Sequence, residues 1–152
     1  MKAKTITVRS ILPSSAKSVW EKLQDFKTLT YITKPLLSFK PRNEDDSGFK
    51  WLEGERYYFK LRLLSLIPIG VHQMYVERVD EKNYEIQTFE KNRIVSTWDH
   101  YIKLESQQDG TIIYTDRVEI HAGILTGLVC YLSKCFYNYR QKRWLKLLNS
   151  DM

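Results

Sequence analysis

The sequence predicts an α+β protein in which an antiparallel sheet buries its apolar face under helices, and three observations predict it. Apolar and polar residues alternate through most of residues 36–121, as they do in strands with one buried face. Beyond Gly123 the apolar residues recur at three- and four-residue steps, at Leu125, Leu128, Val129, Leu132, Phe136, Tyr139 and Trp144, which is the spacing of one long helix. Two short helical patterns precede the alternation. Segregating helices to one face is how a sheet of this kind covers its apolar side.

At 152 residues the chain has the length of one ordinary domain, enough to bury roughly two thirds of its unfolded surface. No repeat, low-complexity tract or linker-like run divides it, so residues 1–152 are expected to form a single domain. A hydrophobic share of 43% and a charged share of 28% exclude an intrinsically disordered chain. The net charge of +6 permits attraction to nucleic acid or anionic lipid but identifies neither. Cys130 and Cys135 fall in the last helix, about 7.5 Å apart along its axis and about 140° around it, too far for a disulfide. The start, MKAKTITVRS, has bases but no apolar run behind them, and is not expected to be a signal peptide. GILTGLVCYLSKCF is interrupted by Lys134 and too short for a bilayer, so no integral membrane association is expected and a cytoplasmic location is.

The elements follow in order. Residues 3–12 are rich in Thr, Ile and Val, end at Pro13 and suit a first strand. SSAKSVWEKLQDF supplies serine caps and places Ala16, Val19, Trp20, Leu23 and Phe26 at helical spacing. A second short helix over residues 26–33 ends before Pro35, because the residue ahead of a proline avoids the helical region. PRNEDDSG, residues 41–48, is a polar loop, and its EDD lacks the glycine and spaced oxygens of a calcium loop. In GERYYFKLRLL, Tyr57, Phe59, Leu61 and Leu63 alternate with Tyr58, Lys60 and Arg62. Pro68 and Gly70 are read as a turn, and residues 71–79 as a strand with His72, Met74 and Val76 on one side. KNYEIQTFE and IVSTWDHYIKLE continue the alternation, QQDG closes a hairpin and TIIYTDRVEI returns. A helix over about residues 123–148 completes the chain, with Leu128, Leu132 and Phe136 expected to face the sheet.

This order, with TWDHYIKLE, GTIIYTDRVEI and the terminal FYNYRQKRW, resembles the START-like superfamily of ligand-binding and polyketide-cyclase-like proteins, the helix-grip fold. Within it, the W.H...L pattern followed by TDRVE and an aromatic-Tyr-Arg run is similar to a bacterial branch described only as ligand-binding. The resemblance covers essentially the whole chain. It implies a curved sheet gripping the long helix and a cavity between them that holds an apolar small molecule. It implies no shared reaction, since fold does not decide function.

Parity locates the polar groups of that interior. Trp98, His100, Ile102 and Leu104 share one face of their strand, and Ile112, Tyr114, Asp116, Val118 and Ile120 share one face of the next. Both sets are the apolar ones, so His100 and Asp116 are expected to point inward. Centring the hairpin turn on Gln108 sets His100 directly opposite Asp116, with Cβ atoms roughly 5 Å apart, close enough for a hydrogen bond. A buried carboxylate needs such a partner. The pair is either a satisfied polar spot in the sheet or a group that binds a ligand oxygen or moves a proton.

No nucleophile elbow, phosphate loop or other catalytic signature accompanies it. His72, His100 and Asp116 are all inward by parity, but without the local spacing of a metal site, and neither metal nor cofactor is expected. His121, on the outward parity, is read as solvated. The stretch KCFYNYRQKRWLK has five bases and four aromatics. Its aromatics belong to the buried stripe and its cations suit the last turns of a helix, so no nucleic-acid partner is expected. The expected ligand is a small apolar or amphipathic molecule. The expected walls are Tyr57, Phe59, Leu61, Met74, Trp98 and Tyr114 from the sheet and Leu128, Leu132 and Phe136 from the helix, with His72, His100 and Asp116 as polar handles. A cyclase or aromatase using His100 and Asp116, and a protein-interaction or stress-response module, are the alternatives.

Overall fold

A computed structural model describes residues 2–42 and 50–150. The EDD of the polar loop lies outside them. Strand β1 (Lys4–Leu12) leads to helices α1 (Ala16–Leu23) and α2 (Phe26–Thr33), then β2 (Leu37–Pro41), β3 (Arg56–Leu63), β4 (Ile67–Asp80), β5 (Glu85–Lys91), β6 (Thr97–Ser106), β7 (Ile112–His121) and the long helix α3 (Thr126–Ser150). The sheet has seven strands in the order β1-β7-β6-β5-β4-β3-β2, all pairs antiparallel. This is the α+β helix-grip architecture. Caps set the two short helices: Ser15 accepts from the Ser18 amide at 3.1 Å and Asp25 from the Lys27 amide at 2.9 Å.

Curvature comes from irregular pairing. The β3–β4 register shifts between Leu61 and Arg62, and the β4–β5 register between Val76 and Arg78. Such bulges bend a strand and increase its twist. The first of them corrects one expectation. Pro68 and Gly70 lie inside β4, and the turn is made by Leu64 and Ser65, whose φ values are 53° and 59°. Arg62 pairs with Pro68 and Leu61 with Gly70, which leaves Ile69 unopposed. A proline is tolerated at such a break in the ladder.

A second correction concerns the last hairpin. His100 stands opposite Val118 and Asp116 opposite Ile102, two residues from the expected register. Gly110, with φ 85°, makes a three-residue loop of Gln108–Gly110, and Gln107 closes it through Thr111 at 2.8 Å. The turn therefore centres on Asp109. Because the shift is two residues, every side chain keeps its face.

The third correction is the face of α3. Leu128 and Leu132 are 57% and 55% exposed, and Phe136 alone of the expected trio is buried. The face against the sheet is Thr126, Cys130, Ser133, Phe136, Tyr137, Arg140, Gln141, Trp144 and Leu148. Four of these, Thr126, Ser133, Arg140 and Gln141, are polar, so an apolar period cannot find them. Gln141 explains its own burial. Its side-chain amide donates to the Val8 carbonyl at 2.8 Å and to Asp116 Oδ2 at 3.1 Å, and its oxygen accepts from Ser10. It ties α3 to β1 and β7.

Candidate functional site

Where the sheet curls away from the middle of α3, the interior is not filled. A cavity of about 400 Å³ lies between α2, strands β2–β6 and α3, and a smaller one of about 50 Å³ lies deeper, toward α1. Leu29, Met74, Glu90, His100 and Arg140 line both. The outer walls are mostly apolar, whereas the inner end carries a cluster of buried charge.

Seven of the expected site residues line the larger cavity: Leu61, His72, Met74, Trp98, His100, Leu132 and Phe136. The other five do not. Phe59 lies behind the wall, fully buried and stacked on Phe26 at 5.9 Å. Tyr57 packs on Trp51, and its hydroxyl donates to the Lys50 carbonyl at 3.1 Å. Tyr114 packs on Trp144, ring centroids 5.7 Å apart. Asp116, 1% exposed, stands behind His100, and Leu128 is on the surface.

Two chains of hydrogen bonds organise the inner end. His100 Nε2 lies 2.6 Å from Asp116 Oδ1, a diagonal contact across β6 and β7, and Asp116 Oδ2 accepts from Gln141. His72 Nε2 lies 2.7 Å from Glu90 Oε1, and Glu90 Oε2 accepts from the Thr88 hydroxyl at 2.6 Å. Asn92 decides the tautomer of His72. Its carbonyl oxygen accepts from the amides of Ile94 and Val95, both at 2.9 Å, so its NH2 group is the one that faces His72 Nδ1 at 3.1 Å. Nδ1 must then accept, and the ring proton sits on Nε2, donating to Glu90. Among the described residues His100 Nδ1 has no such hydrogen bond, and Glu90 Oε2 lies 3.8 Å from it. His72, His100 and Asp116 do not converge on one point: His72 pairs with Glu90 and His100 with Asp116, and no group of three metal-ligating side chains occurs among the described residues.

Both carboxylates are held ionised. Burial, the largest influence, pushes the Glu90 carboxyl up, but the hydrogen bond from His72, the neighbouring His100 and the Thr88 bond leave it below its ordinary value. For Asp116 burial is outweighed by the Arg140 charge, by His100 and by Gln141. Arg140 is 6% exposed, and its guanidinium lies 5.2 Å from the Tyr137 ring centre. Burial opposes its charge, and the neighbouring carboxylates, Asp116 foremost, more than offset that. The Tyr137 hydroxyl, pushed well up by burial, stays protonated and accepts from Trp98 Nε1 at 2.9 Å.

Sequence reasoning missed Glu90, Asn92, Tyr137 and Arg140. Glu90 had a signal, since it shares the inward parity of Ile86 and Thr88 on β5. Arg140 had none, because within the basic run of α3 it cannot be told from a solvated cation. The helix-dipole account of that run fails for it: Arg140 is buried in mid-helix. His121 is half-buried beside Ser96, whose hydroxyl lies 3.0 Å from its Nδ1.

Residues 10–148 match the family described as Domain of unknown function (DUF8410). The chain belongs to that family. This DUF8410 chain is also similar to solved structures along nearly its whole length. One is a START superfamily protein from Mycobacterium smegmatis, with TM-score 0.72, 10% identity, and 97% of this chain and 99% of that one covered. A second is Ara h 8.0201, with TM-score 0.70, 18% identity, and coverage of 97% and 99%. A third, from Chromobacterium violaceum, has TM-score 0.70, 15% identity, and coverage of 95% and 96%. At these identities the likeness shows the fold, which is START-like. No curated protein matches the sequence. No helix among the described residues is long and apolar enough to cross a membrane.

Proposed function

We propose that the protein binds a small amphipathic molecule in the cavity between the sheet and α3. One observation carries this reading: an apolar space of about 400 Å³ that ends on a buried polar cluster. Binding pockets for small molecules run from roughly 300 to 1,000 Å³ and are apolar with a few placed polar groups. The apolar body would lie along Leu61, Met74, Trp98 and Phe136, and the polar end at Glu90, His100 and Arg140. Titration with an anilinonaphthalene dye tests it. One saturable site is expected, lost in Leu61→Trp, which fills the space without burying a charge. A dye that binds Leu61→Trp as well as it binds the parent would refute the assignment. Native mass spectrometry of protein purified from its own host would weigh any retained ligand.

A second reading is favoured by His100 on the cavity wall, with Asp116 holding its Nε2 and the Glu90 carboxylate 3.8 Å from its Nδ1. This is the arrangement of a positioned base, as a polyketide-cyclase-like reaction would use. Turnover that vanishes in Asp116→Asn while affinity stays within a few fold would support it. Loss of affinity with no turnover in the parent supports the binding module.

A further inference from the structure

The charges at the inner end of the cavity discriminate among end groups that an amphipathic ligand could carry. Glu90 and Asp116 each accept two hydrogen bonds from protein donors, the bonding of carboxylates and not of carboxylic acids. Arg140 contributes one positive charge. His72 contributes none, because Asn92 requires its Nδ1 to accept. His100 contributes either zero or one. The cluster is therefore neutral or singly negative, and in neither state of His100 is it positive.

Against this stands the guanidinium of Arg140, which lines the cavity, is nine-tenths buried and has the Tyr114 hydroxyl as a neighbour. Asp116 directs its two oxygens at His100 and Gln141, and Glu90 directs its own at His72 and Thr88. No carboxylate oxygen is left over for the guanidinium, so its donors on the cavity wall are open to an acceptor held in that space. A ligand carboxylate would accept, but would add a negative charge to a buried cluster that has no positive charge to spare. A ligand ammonium would suit the negative state, but it cannot accept and would sit beside the guanidinium. A carbonyl or hydroxyl oxygen accepts without changing the charge.

We infer that the cavity selects a neutral amphiphile, whose terminal carbonyl or hydroxyl oxygen accepts from Arg140, over the corresponding acid or amine. This rests on the binding reading above and names the ligand class for the same site. The test is dye displacement at pH 8 by five probes of matched chain: decane, decanol, methyl nonyl ketone, decanoate and decylamine. The ketone and the alcohol are expected to bind at least about tenfold tighter than decanoate, decylamine and decane. Glu90→Gln removes one negative charge with little change of shape, and should improve decanoate about tenfold relative to the ketone. In Arg140→Met, with folding checked by circular dichroism, the ketone should bind no better than decane.

Decanoate binding as tightly as the ketone overturns the inference, as does a ketone-to-decanoate ratio unmoved by Glu90→Gln. Equal affinity for decane and ketone in the parent removes the assignment to Arg140 while leaving the cavity as an apolar site. If none of the five displaces the dye, the binding reading itself fails, and this inference with it.

Discussion

Replacing Asp116 by Asn isolates what the buried polar cluster contributes to stability. Asp116 is 1% exposed and accepts from two donors, His100 Nε2 at 2.6 Å and Gln141 Nε2 at 3.1 Å. An asparagine has one acceptor oxygen and one NH2 group in nearly the same volume, so while His100 keeps its proton on Nε2, one of the two donors meets another donor whichever way the amide turns. Gln141 cannot simply rotate, because its oxygen is held by Ser10 and its NH2 group also serves the Val8 carbonyl. One buried donor left unsatisfied costs about 1–3 kcal/mol. In a domain of this length each kcal/mol lowers Tm by about 2–4 °C, so a fall between about 2 and 12 °C is expected. Urea unfolding at pH 7 with an unchanged slope is the assay, since an altered slope would mean that the compactness of one state had changed. Asp116→Ala, which also leaves the Arg140 charge uncompensated, should cost more, about 3–5 kcal/mol. If Asp116→Asn stayed within about 0.5 kcal/mol of the parent, the level of a neutral surface change, the cluster as described here would be wrong.

Acid should unfold the protein through the same residues. The folded-state values of Glu90 and Asp116 are both lowered, so the stability they contribute is present above the unfolded carboxylate range near 4 and is lost as pH falls through the folded values. Stability measured from pH 7 down to pH 2 should therefore drop below about pH 4, and the deficit of Asp116→Asn should shrink there; a constant deficit would contradict the coupling. The face of α3 can be checked directly: Leu128→Ser should change stability by less than about 0.5 kcal/mol, and Trp144→Ala should cost about 3–5 kcal/mol. The reverse order would restore the face read from the apolar period. Gly110→Ala forces an alanine into φ 85° and should destabilise the β6–β7 hairpin by about 1 kcal/mol, read as a lower urea midpoint.

The helix-grip order was legible in the sequence because it rests on local chemistry. Period-two alternation, the serine cap of α1, Pro35 after α2 and the switch to a helical period beyond Gly123 each act within a few residues, and each stands in the structure. The inward direction of His72, His100 and Asp116 was legible for the same reason, since parity survives an error of two residues in register. Their partners were not equally legible. The contact of His100 with Asp116 followed from parity although the register expected for it was wrong; that of His72 with Glu90 was overlooked on a strand whose parity displays it.

Tertiary structure alone decided which face of α3 meets the sheet. Arg140 and Gln141 are buried because β1, β5 and β7 offer them a carbonyl and carboxylates, none of which is near them in sequence. Leu128 is left on the surface, and Leu132, though it lines the cavity, is still more than half exposed. An apolar period measures what a side chain prefers on average, whereas burial of a polar group depends on the partner it finds. The inner end of the cavity, where the charges gather, is therefore visible only once strands distant in the chain have been brought together.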